Sequence, residues 1–569
     1  MTSTDAAAAQ SYATPPVTQI RLLSLNCWGL LFISDLRAPR LAEIGRQLAL
    51  LDPPPDIVCL QECWTRDDYQ AICKAAADIL PYGKFYNSGA FGGGLALLSR
   101  WPVETSSMFR YPLNGRPTAF WRGDWYVGKG VAIAGVRYGP GENDVIEVFN
   151  THVGFFFFFF FFNLPFNLIL TLLLFIMIDT YAYKYSYERE ESVRCEKKRD
   201  TPFHGPPHLN FHPSHSSFIS SCQLLTQSSQ THAPYESGPK DTYLCHRTAQ
   251  AWEISKLLRA ASLSGRLVVA LGDFNMTPRS LPHRIITART PLRDTWRVLH
   301  PESSLGTADD PVEKARGLPV PTAGYNIKFN GSTSDGLYNT WRWSKSAQKK
   351  LKTDPCPVDA DSPDPRGKRL DYVFATTGRT QPNDASNSGS QSRGWVVHSA
   401  SVEMTQRHPE LNVSLSDHFA ASAILKLHEI SPSSPVPELD AQLIPPADGQ
   451  VLDTQPLTVS DYDEILAMTD WYMTREVSQR FWRAIHFYAS VLVWIGCLVA
   501  VWWSPRNFVA FILMLVASLG LATGVVDGLL ALLFFWSEIR ALREFEWEIR
   551  TAKSFLSPDH GEKPPIANV

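Results

Sequence analysis

Two long apolar segments near the end of the chain constrain its fold more than any other feature. They read FWRAIHFYASVLVWIGCLVAVWWS and NFVAFILMLVASLGLATGVVDGLLALLFFW, and only Pro505 and Arg506 separate them. A helix needs about 20 predominantly apolar residues to cross a bilayer, and each segment exceeds that length. These lengths disfavour the alternative, a buried helical hairpin of a soluble domain. We therefore expect a two-helix transmembrane hairpin over residues 479–537.

Basic residues lie at both outer ends of this predicted hairpin. Arg480 and Arg483 lie at the start of the first segment, and Arg540 and Arg543 follow the second. Because Lys and Arg are enriched on the cytoplasmic side of membrane helices, both ends are predicted to face the cytosol. Asp527, inside the second segment, requires a partner that the sequence does not identify. The endoplasmic reticulum is the expected membrane, with a mitochondrial membrane as the alternative.

The chain upstream of the hairpin alternates β-rich runs with segments of helical periodicity. The β-rich runs include IRLLSLNCWGL, DIVCLQEC, DVIEVFNTH and RLVVALGDFN, and the helical ones include LRAPRLAEIGRQLALL and TAQAWEISKLLRAA. Such alternation predicts an α/β fold with layers of helices around β-sheets. Residues 1–18 are expected to be a disordered N-terminus, the Pro- and Ser-rich residues 429–478 a linker, and residues 538–569 a cytosolic tail.

Charge and cysteine content exclude some classes of function. The formal net charge is −3, which provides no basic surface for a polyanion, so a nucleic acid partner is not expected. The nine cysteines have no paired spacing that would indicate a zinc site. We expect them to be reduced thiols of a cytosolic domain.

A run of eight phenylalanines opens a segment that fits no fold element. One membrane crossing there would place residues on its two sides in different compartments, and the run has neither the alternation of a strand nor one apolar helix face. The segment begins with valine, whose codons all begin with GT, and ends with glutamine, one of whose two codons ends with AG. Its ends therefore permit an in-frame GT–AG intron, and a T-rich tract within an intron would translate to a run of phenylalanine. We interpret residues 153–230 as the translation of an intron retained in the gene model, so that residues 19–152 and 231–428 form one domain.

Polar residues follow several of the apolar strands at the point where each strand ends. Singly, each has a structural explanation, because Asn and Asp commonly cap turns and helices. Together they predict that side chains from several strands converge at one opening and form an active site. The residues are Asn26, Glu62, Asn150, His152, Asp273, Asn275, Asp371, Asp417 and His418.

The order N…QE…NTH…GDFN…RLDYVF…SDH resembles the DNase I-like (endonuclease/exonuclease/phosphatase) superfamily of metallophosphodiesterases. Within it, the chain is similar to the branch of neutral sphingomyelinases and fungal inositol phosphosphingolipid phospholipases C. Joining His152 to Thr231 gives THTHAPYESGPKDTYLCHRTAQ, which is similar to a block of that branch. Trp28, where abasic-site nucleases carry an acid, counts against DNA repair. The resemblance implies a four-layer α/β sandwich ahead of the membrane hairpin.

Phosphodiester hydrolysis needs a cation to neutralise phosphate charge and a base to activate water. The resemblance implies that Glu62 is the Mg²⁺ ligand, with Asn26 beside it and Asp417 near the metal, since Mg²⁺ prefers oxygen ligands. It also implies that His418 is the general base, because imidazole titrates near neutral pH, and that Asp371 orients it.

The remaining members of the set are expected to contact the phosphate or the attacking water. Asp273 and Asn275 would position the water and a phosphate oxygen, and Asn150 would donate a further hydrogen bond to the phosphate. A second histidine would stabilise the phosphate or assist the leaving group. Both His152 and His232 fit that role, and we favour His152.

The stretch RGDWYVGKGVA contains GKG but not the GxxxxGK[ST] pattern of a nucleotide-binding loop. Its simplest explanation is a turn before the strand VAIAGV. The fungal branch carries a P-loop-like Asp and Lys here, however, and Asp124 and Lys129 match them. The resemblance implies that these two residues contact the substrate phosphate.

These expectations lead to a Mg²⁺-dependent phospholipase C-type hydrolase of sphingolipid headgroups, held at its membrane substrate by the hairpin. Anionic phospholipids are expected as activators, recruited by the basic residues beside the spans. One alternative is a phosphoinositide 5-phosphatase or a nuclease on the same fold. Another, if the insertion is translated, is an inactive membrane-anchored lipid-binding protein.

Overall fold

The computed structural model describes residues 16–31, 33–89, 92–117, 124–153, 241, 243–378, 393–430, 437–443, 455–504 and 506–556. The predicted disordered N-terminus and the predicted intron, apart from Val153 and a few residues next to the first strand, lie outside this part of the chain.

Twelve strands in the described residues form two six-stranded sheets. The first sheet has the order β11-β12-β1-β2-β4-β3, and the second has the order β5-β6-β7-β8-β10-β9. The strands are β1 (Gln19–Asn26), β2 (Ile57–Gln61), β3 (Tyr82–Phe85), β4 (Ala96–Ser99), β5 (Val103–Arg110), β6 (Gly130–Arg137), β7 (Val145–His152), β8 (Leu267–Asp273), β9 (Arg293–Asp294), β10 (Asp371–Ala375), β11 (Arg393–Glu403) and β12 (Ala420–Glu429).

The helices connect and cover these sheets. They are α1 (Arg37–Ala49), α2 (Arg66–Ala76), α3 (Asp124–Val127), α4 (Leu244–Ser262), α5 (Leu281–Arg289), α6 (Thr295–Leu299), α7 (Pro311–Lys314), α8 (Ala323–Tyr325), α9 (Lys345–Lys350), α10 (Pro437–Leu443), α11 (Val459–Val501), α12 (Asn507–Leu529) and α13 (Phe535–Ser554). A π-helical segment, Leu530–Phe534, joins α12 to α13, and a 3₁₀ turn covers Thr340–Arg342.

Three apolar clusters divide the molecule into four layers. The middle cluster contains inward-facing residues of both sheets, such as Leu22 and Val269. A second packs α1 and α2 on the outside of the first sheet. The third packs α4 and α5 on the outside of the second sheet. This arrangement of helix, sheet, sheet and helix confirms the predicted α/β sandwich.

The register of the strands brings the predicted site residues to one end of both sheets. β1 and β2 are parallel, with Asn26 opposite Gln61. β7 and β8 are also parallel, with His152 opposite Asp273, and β10 runs antiparallel to β8 with Asp371 opposite the same aspartate. Side chains at these strand ends therefore face one shared opening.

The segments expected to be a linker and a tail differ from that expectation. α11 begins 20 residues before the predicted span, within the predicted linker, and α13 occupies much of the predicted tail. Both helices pack into the cluster outside the second sheet, where Trp252 contacts Tyr462 and Phe545. The physical reason is amphipathicity, because the buried residues of both helices recur every three or four positions.

Beyond this junction the two helices are apolar. The described residues contain two helical segments long and apolar enough to cross a membrane, Val459–Val501 and Asn507–Ser554. Asp527 of the second pairs with Arg483 and with Nδ1 of His486, at 2.8 Å for the histidine, which identifies the partners that the sequence did not reveal. The helices approach closely at Gly524, where an added Cβ would lie 2.4 Å from the Cβ of Ser490.

Candidate active site

A buried histidine–aspartate pair lies at the shared opening. Nδ1 of His418 is 2.8 Å from Oδ2 of Asp371, and its Nε2 is 4.0 Å from Oδ2 of Asp273. The backbone N–H of His418 donates to the hydroxyl of Ser416, which in turn donates to the carbonyl of Asn26. These bonds fix the ring with one nitrogen held by Asp371 and the other facing the neighbouring carboxylate.

Asn26 joins two acidic residues from different sheets. Its Nδ2 donates to Glu62 at 3.2 Å and to Asp273 at 3.0 Å, while its Oδ1 accepts from the backbone N–H of Trp28. The amide nitrogen, not the oxygen, therefore faces the carboxylates. Asn26 holds the two carboxylates together in this arrangement, whereas the sequence suggested that it binds metal alongside Glu62.

The favoured second histidine lies in the same cluster. Nε2 of His152 is 3.5 Å from Oδ2 of Asp273 and 3.8 Å from Oε1 of Glu62. Nζ of Lys129, a fully buried ammonium at the start of β6, lies 3.4 Å from the same ring nitrogen. The structure thus brings Lys129 and His152 together with the acidic residues.

Burial dominates the electrostatics of the carboxyl groups. It raises the pKa of Glu62 to about 8, and the carboxylate of Asp417 adds to that rise. Burial also raises the pKa of Asp273 to about 6, although the nearby His418 opposes the increase. Carboxylates crowded in a buried site repel one another, so each favours its neutral form.

The two histidines are shifted in opposite directions. Burial lowers the pKa of His418, but the carboxylates of Asp371 and Asp273 outweigh it and hold that pKa well above its usual range. Burial, with the charges of Lys129 and His418, lowers the pKa of His152 well below its usual range. Divergent shifts on neighbouring titratable groups are typical of a catalytic site.

The donor set suits a hard divalent cation. Oε2 of Glu62 and Oδ1 of Asp371 are buried without a hydrogen-bond partner among the described residues. Ligand atoms of Asp273, Asp371 and His418 also lie within 4.8 Å of one another. Unpaired buried carboxylate oxygens are costly, and a cation would satisfy them, so the residues present fit a metal site.

Asn150 has a different role from the expected phosphate contact. Its Nδ2 donates to the carbonyls of Leu60 and Ala96, and its Oδ1 accepts from Nε2 of Gln61. Every polar atom of the side chain is thus bonded across the two sheets, and no amide hydrogen is left for a phosphate. Asn150 forms the floor of the site.

The other predicted residues are placed as follows. Asn275 donates through Nδ2 to the carbonyl of Val153 and keeps its own side-chain oxygen unbonded among the described residues. Asp417 is buried beside the guanidinium of Arg342, at 4.0 Å. Asp124 begins α3, but its side chain lies outside the described residues, and so does the whole of His232.

Three non-glycine residues next to the site adopt left-handed backbone conformations. Their φ angles are 47° at Trp28, 53° at Glu62 and 46° at Asn275. Each follows within two residues of the end of a strand. This conformation is unfavourable for residues with a side chain and is concentrated at functional sites. It turns the chain sharply as each strand ends, which aims the Glu62 carboxylate into the opening.

Sequence reasoning missed several residues that support the site. Gln61 holds Asn150, Ser416 connects His418 to Asn26, and Asp335 of the segment STSDG follows Ser334, which forms a β-bridge to His418. Gln61 and Ser416 directly adjoin predicted site residues, and that adjacency was an available signal. Asp335 follows no apolar strand, and only the fold brings it near the site.

Comparison with known proteins agrees with this geometry. The family model described as Endonuclease/Exonuclease/phosphatase family matches residues 23–418. The chain is 32% identical over 536 residues to an inositol phosphosphingolipids phospholipase C of Schizosaccharomyces pombe, covering 94% of each chain. It is 28% identical to the protein of that name from Saccharomyces cerevisiae, covering 96% of this chain and 92% of the other.

Among solved structures, sphingomyelinase C from Streptomyces griseocarneus aligns with 72% of this chain and 99% of its own, at 15% identity and a TM-score of 0.35. The family assignment rests on the family model and on the two fungal relatives, not on this structural alignment. The chain belongs to the Endonuclease/Exonuclease/phosphatase family, within the group that contains the inositol phosphosphingolipid phospholipases C.

Proposed function

We propose that this protein is a Mg²⁺-dependent phospholipase C-type phosphodiesterase that hydrolyses inositol phosphosphingolipids, with sphingomyelin as a related substrate. The products are ceramide and the phosphorylated headgroup. One observation carries the proposal: the bonded pair of His418 and Asp371 faces Asp273 in a chain similar over nearly its whole length to such phospholipases.

In this mechanism His418 is the general base. Water attacks the phosphorus atom, and its proton passes to Nε2 of His418 as the new P–O bond forms. The bond between phosphorus and the ceramide oxygen breaks, and that oxygen takes up a proton as ceramide leaves. Asp371 holds the imidazole through Nδ1 and stabilises the imidazolium that forms.

Glu62 and Asp417 would hold the cation, with Asp273 near it. When bound, Mg²⁺ neutralises charge on the phosphoryl oxygens and on the crowded carboxylates. Asn26 keeps Glu62 and Asp273 in place through its amide nitrogen. Asn275 offers its free side-chain oxygen to the attacking water.

Lys129 and His152 are proposed to bind the phosphoryl group from the opposite side. The buried ammonium of Lys129 is a fixed positive charge in a site that excludes bulk water, where such charges stabilise a phosphoryl transition state strongly. The neutral His152 can donate from Nδ1, which has no partner among the described residues. Asp124 is proposed to contact the substrate phosphate, as the resemblance implies.

The two apolar helices are proposed to cross the membrane and to keep the catalytic domain on its cytosolic side, in the endoplasmic reticulum or a mitochondrial membrane. Support comes from one contact. The ring of Trp125, four residues before Lys129, lies 4.3 Å from the ring of Phe534 at the end of the apolar hairpin. The site end of the second sheet therefore faces the hairpin, where a lipid substrate would be.

Anionic phospholipids are proposed as activators through Arg480 and Arg540. The two guanidinium groups lie 4.3 and 5.3 Å from the ring of Trp536, beside the hairpin. Each basic residue near a charged membrane surface contributes about 1 kcal/mol of attraction. Arg483 is instead paired with Asp527, which gives it a role within the hairpin.

Replacing Arg480 and Arg540 together with Gln should abolish stimulation by vesicles that contain an anionic phospholipid. Arg550→Gln is the matched control, since Arg550 lies on α13 but pairs with Glu546. Stimulation that persists in the double variant would argue against this activator site.

The test of the main proposal uses the full chain and a form lacking residues 153–230, in mixed micelles with Mg²⁺. Release of water-soluble phosphate is compared for inositol phosphoceramide, sphingomyelin, a phosphoinositide and abasic DNA. We expect release from the sphingolipids, lost with EDTA and with His418→Ala. Cleavage of the phosphoinositide or the DNA without sphingolipid turnover would contradict the proposal.

A further inference from the structure

A segment that the mechanism does not use lies directly against the catalytic histidine. Ser334 forms β-bridges to both Lys368 and His418, and the N–H of Phe419 donates to the carbonyl of Thr333 at 2.8 Å. The next residue, Asp335, has a φ of 63°, a left-handed backbone conformation that is unfavourable for residues other than glycine. The fold thus presents Asp335 at the edge of the site.

Asp335 gathers two cations at that edge. Its Oδ1 is 2.5 Å from Nε of Arg342, and its Oδ2 is 2.7 Å from Nζ of Lys368. Burial raises the pKa of Asp335, but the two cations outweigh it and hold that pKa below its usual range. Two positive charges therefore share the carboxylate of Asp335.

The backbone that carries Arg342 is firmly held. Asn339 caps the 3₁₀ turn and also donates to the carbonyl of Asp417. Nε1 of Trp341 donates to the carbonyl of Ser414 at 2.8 Å. These bonds attach the turn to the segment that leads into the catalytic histidine. The backbone of Arg342 is therefore held in a fixed position relative to the site.

The outer end of the Arg342 guanidinium is available to a ligand. Nη2 lies 4.0 Å from Oδ2 of Asp417, which is beyond hydrogen-bond distance, and neither Nη atom donates a hydrogen bond to any described residue. The side chain is 21% exposed. The Arg342 guanidinium therefore lies next to the proposed metal ligand Asp417, with N–H donors that can bind a ligand.

We propose that Arg342, positioned by Asp335, is a substrate-binding residue that contacts the hydroxyl-bearing headgroup of the sphingolipid and selects against a quaternary ammonium headgroup. This inference rests on the proposed function. Arginine offers five donors and no acceptor, which suits the oxygens of a polyol headgroup. A trimethylammonium group has no acceptor for these donors, so it gains nothing from this contact.

The experiment measures kcat and KM for inositol phosphoceramide and for sphingomyelin at equal mole fractions, in wild type, Arg342→Gln and Arg342→Lys. Arg342→Gln should lower kcat/KM for inositol phosphoceramide by about 10- to 100-fold, the value of a hydrogen bond from a charged donor, chiefly through KM. Its kcat/KM for sphingomyelin should change by less than about 2-fold. Arg342→Lys keeps the charge and the pairing with Asp335, and should give an intermediate, equally selective loss.

Arg316→Gln is the matched control, because Arg316 has a similar exposure of 19% but pairs with Glu302 and Glu313, away from the site. Equal losses for both substrates would overturn the inference, because they would place Arg342 on the shared phosphate. Unchanged values in both variants would overturn it as well. Wild-type protein that hydrolyses neither sphingolipid would instead refute the proposed function, and this inference with it.

Discussion

Asp371 accepts a hydrogen bond from Nδ1 of His418 at 2.8 Å, and this contact leaves Nε2 of the imidazole facing Asp273 and the shared opening. Replacing Asp371 with Asn keeps the shape of the side chain but removes its charge. We expect kcat to fall by about 10²- to 10⁴-fold with little change in KM. The pKa of His418 should fall too, which moves the acidic limb of the pH–rate profile to lower pH. An unchanged profile would show that Asp371 does not act through His418.

Glu62 is expected to have opposite effects on activity and on stability. Glu62→Gln should abolish Mg²⁺-dependent turnover and yet raise the unfolding temperature of the metal-free protein, because it removes a buried carboxylate that Asp417 repels. Thermal unfolding in EDTA, beside activity against Mg²⁺ concentration, measures both. A lower unfolding temperature would mean that the carboxylate stabilises the empty site.

The same carboxyl group makes the stability of the metal-free protein depend on pH. The pKa of Glu62 is about 8 in the folded protein, above its ordinary value, so the unfolded chain releases this proton first as the pH rises. Stability should fall as the pH rises from that ordinary value to about 8. The slope should be smaller in Glu62→Gln and in the presence of Mg²⁺, when unfolding is followed from pH 5 to 8.

The close approach of the two apolar helices offers a matched pair of substitutions. Gly524→Val should separate the helices, because its Cβ would collide with Ser490, whereas nothing lies within 4 Å of a Cβ at Gly520. We expect the first variant to lower the unfolding temperature in detergent and the second to leave it unchanged. Equal effects would indicate that helix propensity, not packing, is responsible.

Removal of the C-terminal helices should prevent the catalytic domain from folding stably. A chain that ends at Leu443 loses α11 and α13, and so uncovers Trp252, whose Nε1 donates to Glu548. Several large apolar residues of the outer layer would then face water, at about 25 cal/mol for each Å² exposed. We expect aggregation or a loss of cooperative unfolding relative to the full chain in detergent. A soluble, cooperative truncated domain would contradict this prediction.

Sequence reasoning predicted layers of helices around β-sheets and most of the cluster because both follow from local patterns, whereas the four-layer sandwich was implied by the family resemblance. Apolar strands that end in polar residues fix Glu62, Asp273 and His152 at one end of the sheets whatever the details of the loops. It failed where the answer depends on packing across the sheets. The polar atoms of Asn150 are all used by the neighbouring sheet, and the orientation of Asn26 follows from the backbone N–H of Trp28.

The C-terminal helices were misjudged for a different reason. The apolar spans and the Pro- and Ser-rich stretch dominate the composition of that region and conceal a second, amphipathic pattern beside them. In α11 the buried residues before the span include Tyr462, Ile465, Thr469 and Tyr472, at helical spacing. That pattern can be read from sequence. The partner face on α4 cannot, because it is distant in the chain.

The continuity of α11 from the catalytic core into the apolar hairpin has a kinetic consequence. The helix runs unbroken over 43 residues. With the hairpin in a membrane, as proposed, the domain would have little freedom to leave the membrane surface. The search for substrate is then two-dimensional, and what limits the rate is the fraction of surface molecules that are substrate, not their concentration in bulk. Dilution with inert lipid should slow turnover, whereas dilution with buffer should not.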